Sequence, residues 1–112
     1  MTIQIFGTPK CKDSRKAERF FKERRIKVHF VDLREQGISP GELDNISQVI
    51  PIEELIDTEG KQYRKRNLQY MKFDIAAELL DDPLLFKTPI TRFGRDVTVG
   101  YAPDVWSEWL KT

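Results

Sequence analysis

Ile3-Gln4-Ile5-Phe6-Gly7-Thr8-Pro9-Lys10-Cys11-Lys12-Asp13-Ser14-Arg15-Lys16-Ala17 is the stretch on which the reading of this chain turns. Ile3 and Ile5 alternate with polar residues, the period-two pattern of a strand with one buried face. Gly7-Thr8-Pro9-Lys10 interrupts it. Beyond, Ala17, Phe20 and Phe21 recur at i, i+3 and i+4 among charged residues, which marks an amphipathic helix. Cys11, the only cysteine in 112 residues, thus stands where a strand passes through a short loop into a helix start. Unsatisfied backbone N–H groups and the helix dipole favour a thiolate over a thiol there. Lys10, Lys12, Arg15 and Lys16 are expected to act in the same direction. Ser14 takes the place of the second cysteine in a C-x-x-C redox pair; its hydroxyl can donate a hydrogen bond to S⁻ but cannot close a disulfide. A lone cysteine elsewhere is ordinarily a small buried hydrophobe, and it is the strand-loop-helix setting that favours the reactive reading.

Working outward, Val28, Phe30 and Val31 within Lys27 to Asp32 supply a second strand, so the opening is a βαβ unit with parallel strands and a right-handed crossover. His29 reads as an exposed strand residue rather than a catalytic base. Ser39-Pro40-Gly41-Glu42 is a capping box with proline at the first helical position, and Leu43, Ile46, Val49 and Ile50 follow at helical spacing up to Pro51. No strand pattern occurs from Ile52 to Phe86, and Asp74 caps a helix over Ile75 to Leu80. Residues from about 39 to 86 therefore read as an inserted helical lobe, with Leu84-Leu85-Phe86 leading back into the sheet. Pro89 to Phe93 and Val97 to Val99 flank the turn Gly94-Arg95-Asp96 as a hairpin. Pro103 opens a last helix with Trp106, Trp109 and Leu110 on one face. The expected fold is α/β: one domain over residues 1–112, a four-stranded mixed sheet with flanking helices.

Composition narrows the function classes. Nineteen basic against 18 acidic side chains leave a net charge of +1, so no global field draws nucleic acid or a membrane surface, and no nucleic-acid partner is expected. Lys61-Gln62-Tyr63-Arg64-Lys65-Arg66 is the one local basic run with an aromatic, and reads as a solvated helix face rather than an anion site. No apolar run approaches the ~20 residues that span a bilayer, and no targeting segment is read at the start, so a cytoplasmic location is expected. One cysteine and one histidine make no metal site.

A strand, a cysteine at a helix N-terminus, a βαβ unit, an X-Pro before a hairpin and a final helix form the plan of the thioredoxin fold. In that fold the proline is cis and faces the cysteine. Thr88-Pro89 holds this place. Together with Ile5 to Ala17, Lys87-Thr88-Pro89-Ile90 and Gly100-Tyr101-Ala102-Pro103-Asp104-Val105-Trp106, the inserted lobe makes the chain resemble the arsenate reductase (ArsC) and Spx family over nearly its whole length. The resemblance implies a monothiol oxidoreductase. Cys11 would be its nucleophile, aided by Ser14. Lys12, Thr88, Pro89, Lys87 and Arg92 would line a substrate or thiol site. No cofactor is bound; glutathione or another low-molecular-weight thiol, or a redoxin, would serve as co-substrate. Family arginines that hold the oxyanion are matched here by Thr88, Asp57 and Ala102, which argues against efficient arsenate reduction, with Lys87, Arg92 or Arg64 as partial substitutes. The alternative is an Spx-like regulator that binds a protein partner through the helical lobe. The Cys11 to Ser14 spacing leaves such a regulator without its redox switch.

Overall fold

The computed structural model describes residues 2–111, which form two compact units: residues 2–32 with 88–111, and residues 33–87. In the first unit β1 (Thr2–Gly7), β2 (Lys27–Asp32), β3 (Ile90–Phe93) and β4 (Asp96–Val99) make one sheet in the order β2-β1-β3-β4. β1 and β2 are parallel, with Ile3 beside Val28 and Ile5 beside Phe30. β3 is antiparallel to β1 and to β4. This is the four-stranded mixed sheet of a thioredoxin-like α/β fold. Gly94 carries φ +59° at the first position of the β3–β4 turn, a conformation that glycine adopts without a Cβ penalty.

Helix α1 (Lys12–Glu23) connects β1 to β2, and α5 (Pro103–Trp109) follows the hairpin. Their apolar faces close one side of the sheet. Ile3 and Ile5 pack with Ala17, Phe20, Phe21 and Trp106, all buried. The three rings stack edgewise or tilted, with centroids 5.0 to 5.3 Å apart. Trp106 can be wholly buried because its Nε1–H donates to Thr98 Oγ1 at 2.8 Å. Helix α1 ends in a Schellman arrangement, with Ile26 N–H on Phe21 O at 2.9 Å and Arg25 N–H on Lys22 O at 3.0 Å. Arg25 holds the left-handed position at φ 60°, where glycine is usual.

The second unit contains α2 (Pro40–Ser47), α3 (Lys61–Lys65) and α4 (Ile75–Asp81), joined by short 3₁₀ turns. The capping box on α2 forms: Glu42 N–H donates to Ser39 Oγ, and Ser39 N–H to Glu42 Oε1. The helix stops at Ser47, earlier than its apolar spacing suggests, and Val49 lies exposed. Leu84 to Phe86 do not enter the sheet. Pro83–Leu85 form a 3₁₀ turn and Phe86 makes an isolated bridge to Ile56, flanked by Asp57 N–H on Leu85 O and Lys87 N–H on Leu55 O. The basic run is only partly a solvated face, because Arg66 reaches Glu78 and Asp82, and Gln62 Nε2 donates to Asp82. Among the described residues no helix is long and apolar enough to cross a membrane.

Candidate active site at Cys11

Strand β1 delivers the chain to a tight loop, closed by Cys11 N–H on Thr8 O at 3.1 Å, and α1 begins directly afterwards. Cys11 is the N-cap residue: its backbone is extended, and its sulfur, in place of the usual hydroxyl or carboxylate, accepts the Ser14 N–H at 3.4 Å. The second donor is Thr88, whose Oγ1 lies 3.1 Å from Cys11 Sγ across 77 residues of sequence. Thr88 O lies 3.7 Å from the same sulfur, where a thiol S–H can donate to it. The Thr88–Pro89 peptide is cis, as the resemblance implies, and Pro89 is buried. Cys11 itself is half-buried.

These contacts set its acidity. Burial works against the thiolate and is the largest single influence. It is outweighed by the polar groups around the sulfur, the Ser14 and Thr88 hydroxyls and the backbone of Ser14 and Asp13, so the thiol pKa falls below its ordinary value. Ser14 Oγ is fully buried and completes no hydrogen bond in this geometry, so the formed contacts to the sulfur are those of Thr88 Oγ1 and Ser14 N–H. The four flanking cations expected to share in the lowering do not figure among its leading causes. Arg15 Nη1 turns to Pro9 O at 3.2 Å and Lys16 Nζ sits over the Tyr101 ring, while Lys10 and Lys12 are exposed.

Gly7 is a site residue that sequence reading did not single out. A Cβ there would meet Ser14 Oγ at 2.3 Å and Ser14 Cβ at 2.9 Å, so the absence of a side chain at the end of β1 is what lets Ser14 pack beneath the cysteine loop. The signal available in the sequence was a glycine at a strand end next to the cysteine loop.

The remaining predicted positions scatter. Lys12 is the exposed first residue of α1. Arg92, opposite Gln4 in β3, directs its guanidinium to Gln4 Oε1 at 3.5 Å rather than to the sulfur. Lys87 and Arg64 are exposed residues of the second unit. Of the three positions matched to family arginines, Thr88 contacts the sulfur. Asp57, in the second unit, caps its own turn through Glu59 N–H, and Ala102 stands at the start of α5 with no side-chain cap. Among the described residues no three His, Cys, Asp or Glu side chains group to hold a metal.

The sequence profile described as the ArsC family matches residues 6–109. The chain belongs to the ArsC family. Within it, this ArsC-family chain is 31% identical to a Bacillus subtilis (strain 168) protein named "Uncharacterized protein YusI", covering 96% of this chain and 98% of that one. It is 30% identical to the "Global transcriptional regulator Spx 2" of Oceanobacillus iheyensis, over 98% of this chain and 84% of that protein. Among solved structures, an arsenate reductase from Vibrio cholerae superposes with a TM-score of 0.82 at 22% identity, covering 98% of each chain, a likeness of fold.

Proposed function

We propose that this ArsC-family protein is a thiol-dependent oxidoreductase that works through Cys11 alone and returns to its resting state at the expense of an external thiol. The observation that carries the reading is a sulfur held at a helix start by the Ser14 N–H and the Thr88 hydroxyl, with its pKa lowered by hydrogen bonds. A thiol whose pKa is lowered in this way presents more of the nucleophilic thiolate at a given pH than a free cysteine does. The thiolate attacks one sulfur of a disulfide; the S–S bond breaks, a protein mixed disulfide forms, and the leaving thiolate takes a proton from solvent. Because Cys11 is the only cysteine, no second protein thiol resolves the adduct. An external thiolate, glutathione or the cysteine of a redoxin, attacks the mixed disulfide and leaves with the transferred group, restoring the Cys11 thiolate.

Intact-mass measurement tests this. Incubation with a glutathione mixed disulfide should add one glutathione to the protein, excess reduced glutathione should remove it, and Cys11→Ser should take up none. A wild-type protein that forms no adduct contradicts the proposal.

A second reading is favoured by one comparison, the relative named as a transcriptional regulator. A protein-binding module would use exposed side chains of the second unit such as Tyr70 and Met71, and Cys11 would be dispensable to it. A Cys11→Ser protein with undiminished biological activity would support that reading over the first.

A further inference from the structure

We propose that the Thr88 hydroxyl, rather than a fixed cation, positions and stabilises the Cys11 thiolate, and that this makes the site one for disulfides, whose reacting group is uncharged, and not for tetrahedral oxyanions. The inference rests on Cys11 being the nucleophile and adds the substrate class and the residue that sets it.

Thr88 addresses the sulfur twice. Its carbonyl, 3.7 Å away, suits a thiol S–H, and its Oγ1, 3.1 Å away, suits a sulfur that only accepts. One residue thus offers a contact to each protonation state. With Ser14 N–H as the second donor, the thiolate rests on dipoles that carry no formal charge. Ser14 Oγ, buried and unpartnered, leaves one more hydroxyl at the same helix start. Of the charged side chains of this unit that could have served, Arg15 is engaged with Pro9 O, Lys16 with the Tyr101 ring and Arg92 with Gln4, while Lys10 and Lys12 are exposed and no contact from either to the sulfur is formed.

The consequence concerns charge. A tetrahedral oxyanion approaching a thiolate places negative charge against negative charge, and is held by bidentate, permanently charged donors such as guanidinium. At Thr88 a hydroxyl stands where such a donor would be needed. The S–S group of a disulfide carries no charge. When Cys11 S⁻ attacks it, the S–S bond breaks, the new Sγ–S bond forms, and one negative charge moves from Sγ to the departing sulfur, which is then protonated by solvent. Net charge in the site never exceeds one, and neutral donors suffice.

The test compares wild type, Thr88→Val, Thr88→Ala and Thr88→Ser, using as probe the mixed disulfide of glutathione and 2-mercaptoethanol. Thr88→Val keeps the shape and deletes the donor, and Thr88→Ala deletes it if valine does not fold. Either should raise the midpoint of the thiolate absorbance titration and slow glutathione transfer at neutral pH about tenfold, the loss of one charge-assisted hydrogen bond. Thr88→Ser should restore both. At pH above both midpoints the wild-type and valine rates should converge, which a merely structural defect would not do. An unmoved midpoint in the variants, with adduct formation by wild type intact, overturns the role of Thr88 and leaves the nucleophile standing. Absence of any adduct on wild type overturns the nucleophile itself. Wild-type turnover of arsenate equal to that of the mixed disulfide overturns the substrate class.

Discussion

Cys11 owes its chemistry to neighbours that are far from it in sequence as well as near. The helix-start position and the Ser14 N–H were legible, because a strand pattern, a four-residue loop and a helical period place them without tertiary information. The Thr88 hydroxyl was legible only as part of a docking platform, since a side-chain contact across 77 residues depends on the sheet register. The expected help from Lys10, Lys12, Arg15 and Lys16 failed for the complementary reason: flexible charged side chains find local partners, or solvent, that sequence proximity does not reveal. Two substitutions probe this scale. Gly7→Ala should cost about 1–3 kcal/mol through overpacking against Ser14, and Ser14→Gly in the same chain should recover part of it, as read by urea unfolding. Ser14→Ala should raise the thiolate midpoint less than Thr88→Val, because Thr88 Oγ1 forms a hydrogen bond to the sulfur and Ser14 Oγ completes none; a larger rise for Ser14→Ala would show that its hydroxyl, not that of Thr88, is the leading donor.

At the scale of elements, the parts that were read correctly are those in which periodicity, caps and burial agree. Helix α1 has its Ala17, Phe20 and Phe21 stripe on the core, and α2 has its capping box in place. Val49 and Ile50 continue the apolar spacing of α2, yet the helix ends at Ser47, so spacing without a tertiary surface for Val49 did not extend it. In the basic run, the carboxylates of Glu78 and Asp82 arrive from α4, and no local pattern announces them. The C-terminus of α1 offers a clean test. Arg25 occupies the left-handed position of a Schellman cap at φ 60°, where a Cβ costs about 1–2 kcal/mol and glycine costs nothing comparable. Arg25→Gly should therefore stabilise the protein by about 1 kcal/mol, net of glycine's entropy in the unfolded chain, and raise its Tm by several degrees. A lower Tm would show that the Arg25 side chain contributes more than the strain removes.

For the whole molecule, the lowered thiol pKa couples chemistry to stability. The folded protein releases the Cys11 proton at lower pH than the unfolded chain does, so between the two midpoints the unfolded state binds more protons and stability rises with pH. The contribution is complete above the ordinary thiol value of about 8.5 and is lost as pH falls through the folded midpoint. The stability difference between wild type and Cys11→Ser, measured by denaturant unfolding at a series of pH values, should accordingly grow as pH rises through that window and be flat below it. A difference that shrinks with rising pH would mean that the fold disfavours the thiolate.

The family and its thioredoxin-like sheet could be read from residues 5–17 and 87–106, but the choice among oxidised substrates depends on which side chains surround one sulfur. That choice is open to a single kinetic comparison. With reduced glutathione as electron donor, wild-type protein and Cys11→Ser are assayed across pH against a glutathione mixed disulfide without glutaredoxin, the rate without protein being subtracted, and against arsenate with glutaredoxin present. The prediction is turnover of the mixed disulfide that disappears in Cys11→Ser, rises with pH through the Cys11 midpoint, and far exceeds turnover of arsenate. Mixed-disulfide turnover that survives in Cys11→Ser, or a preference for arsenate, would contradict it.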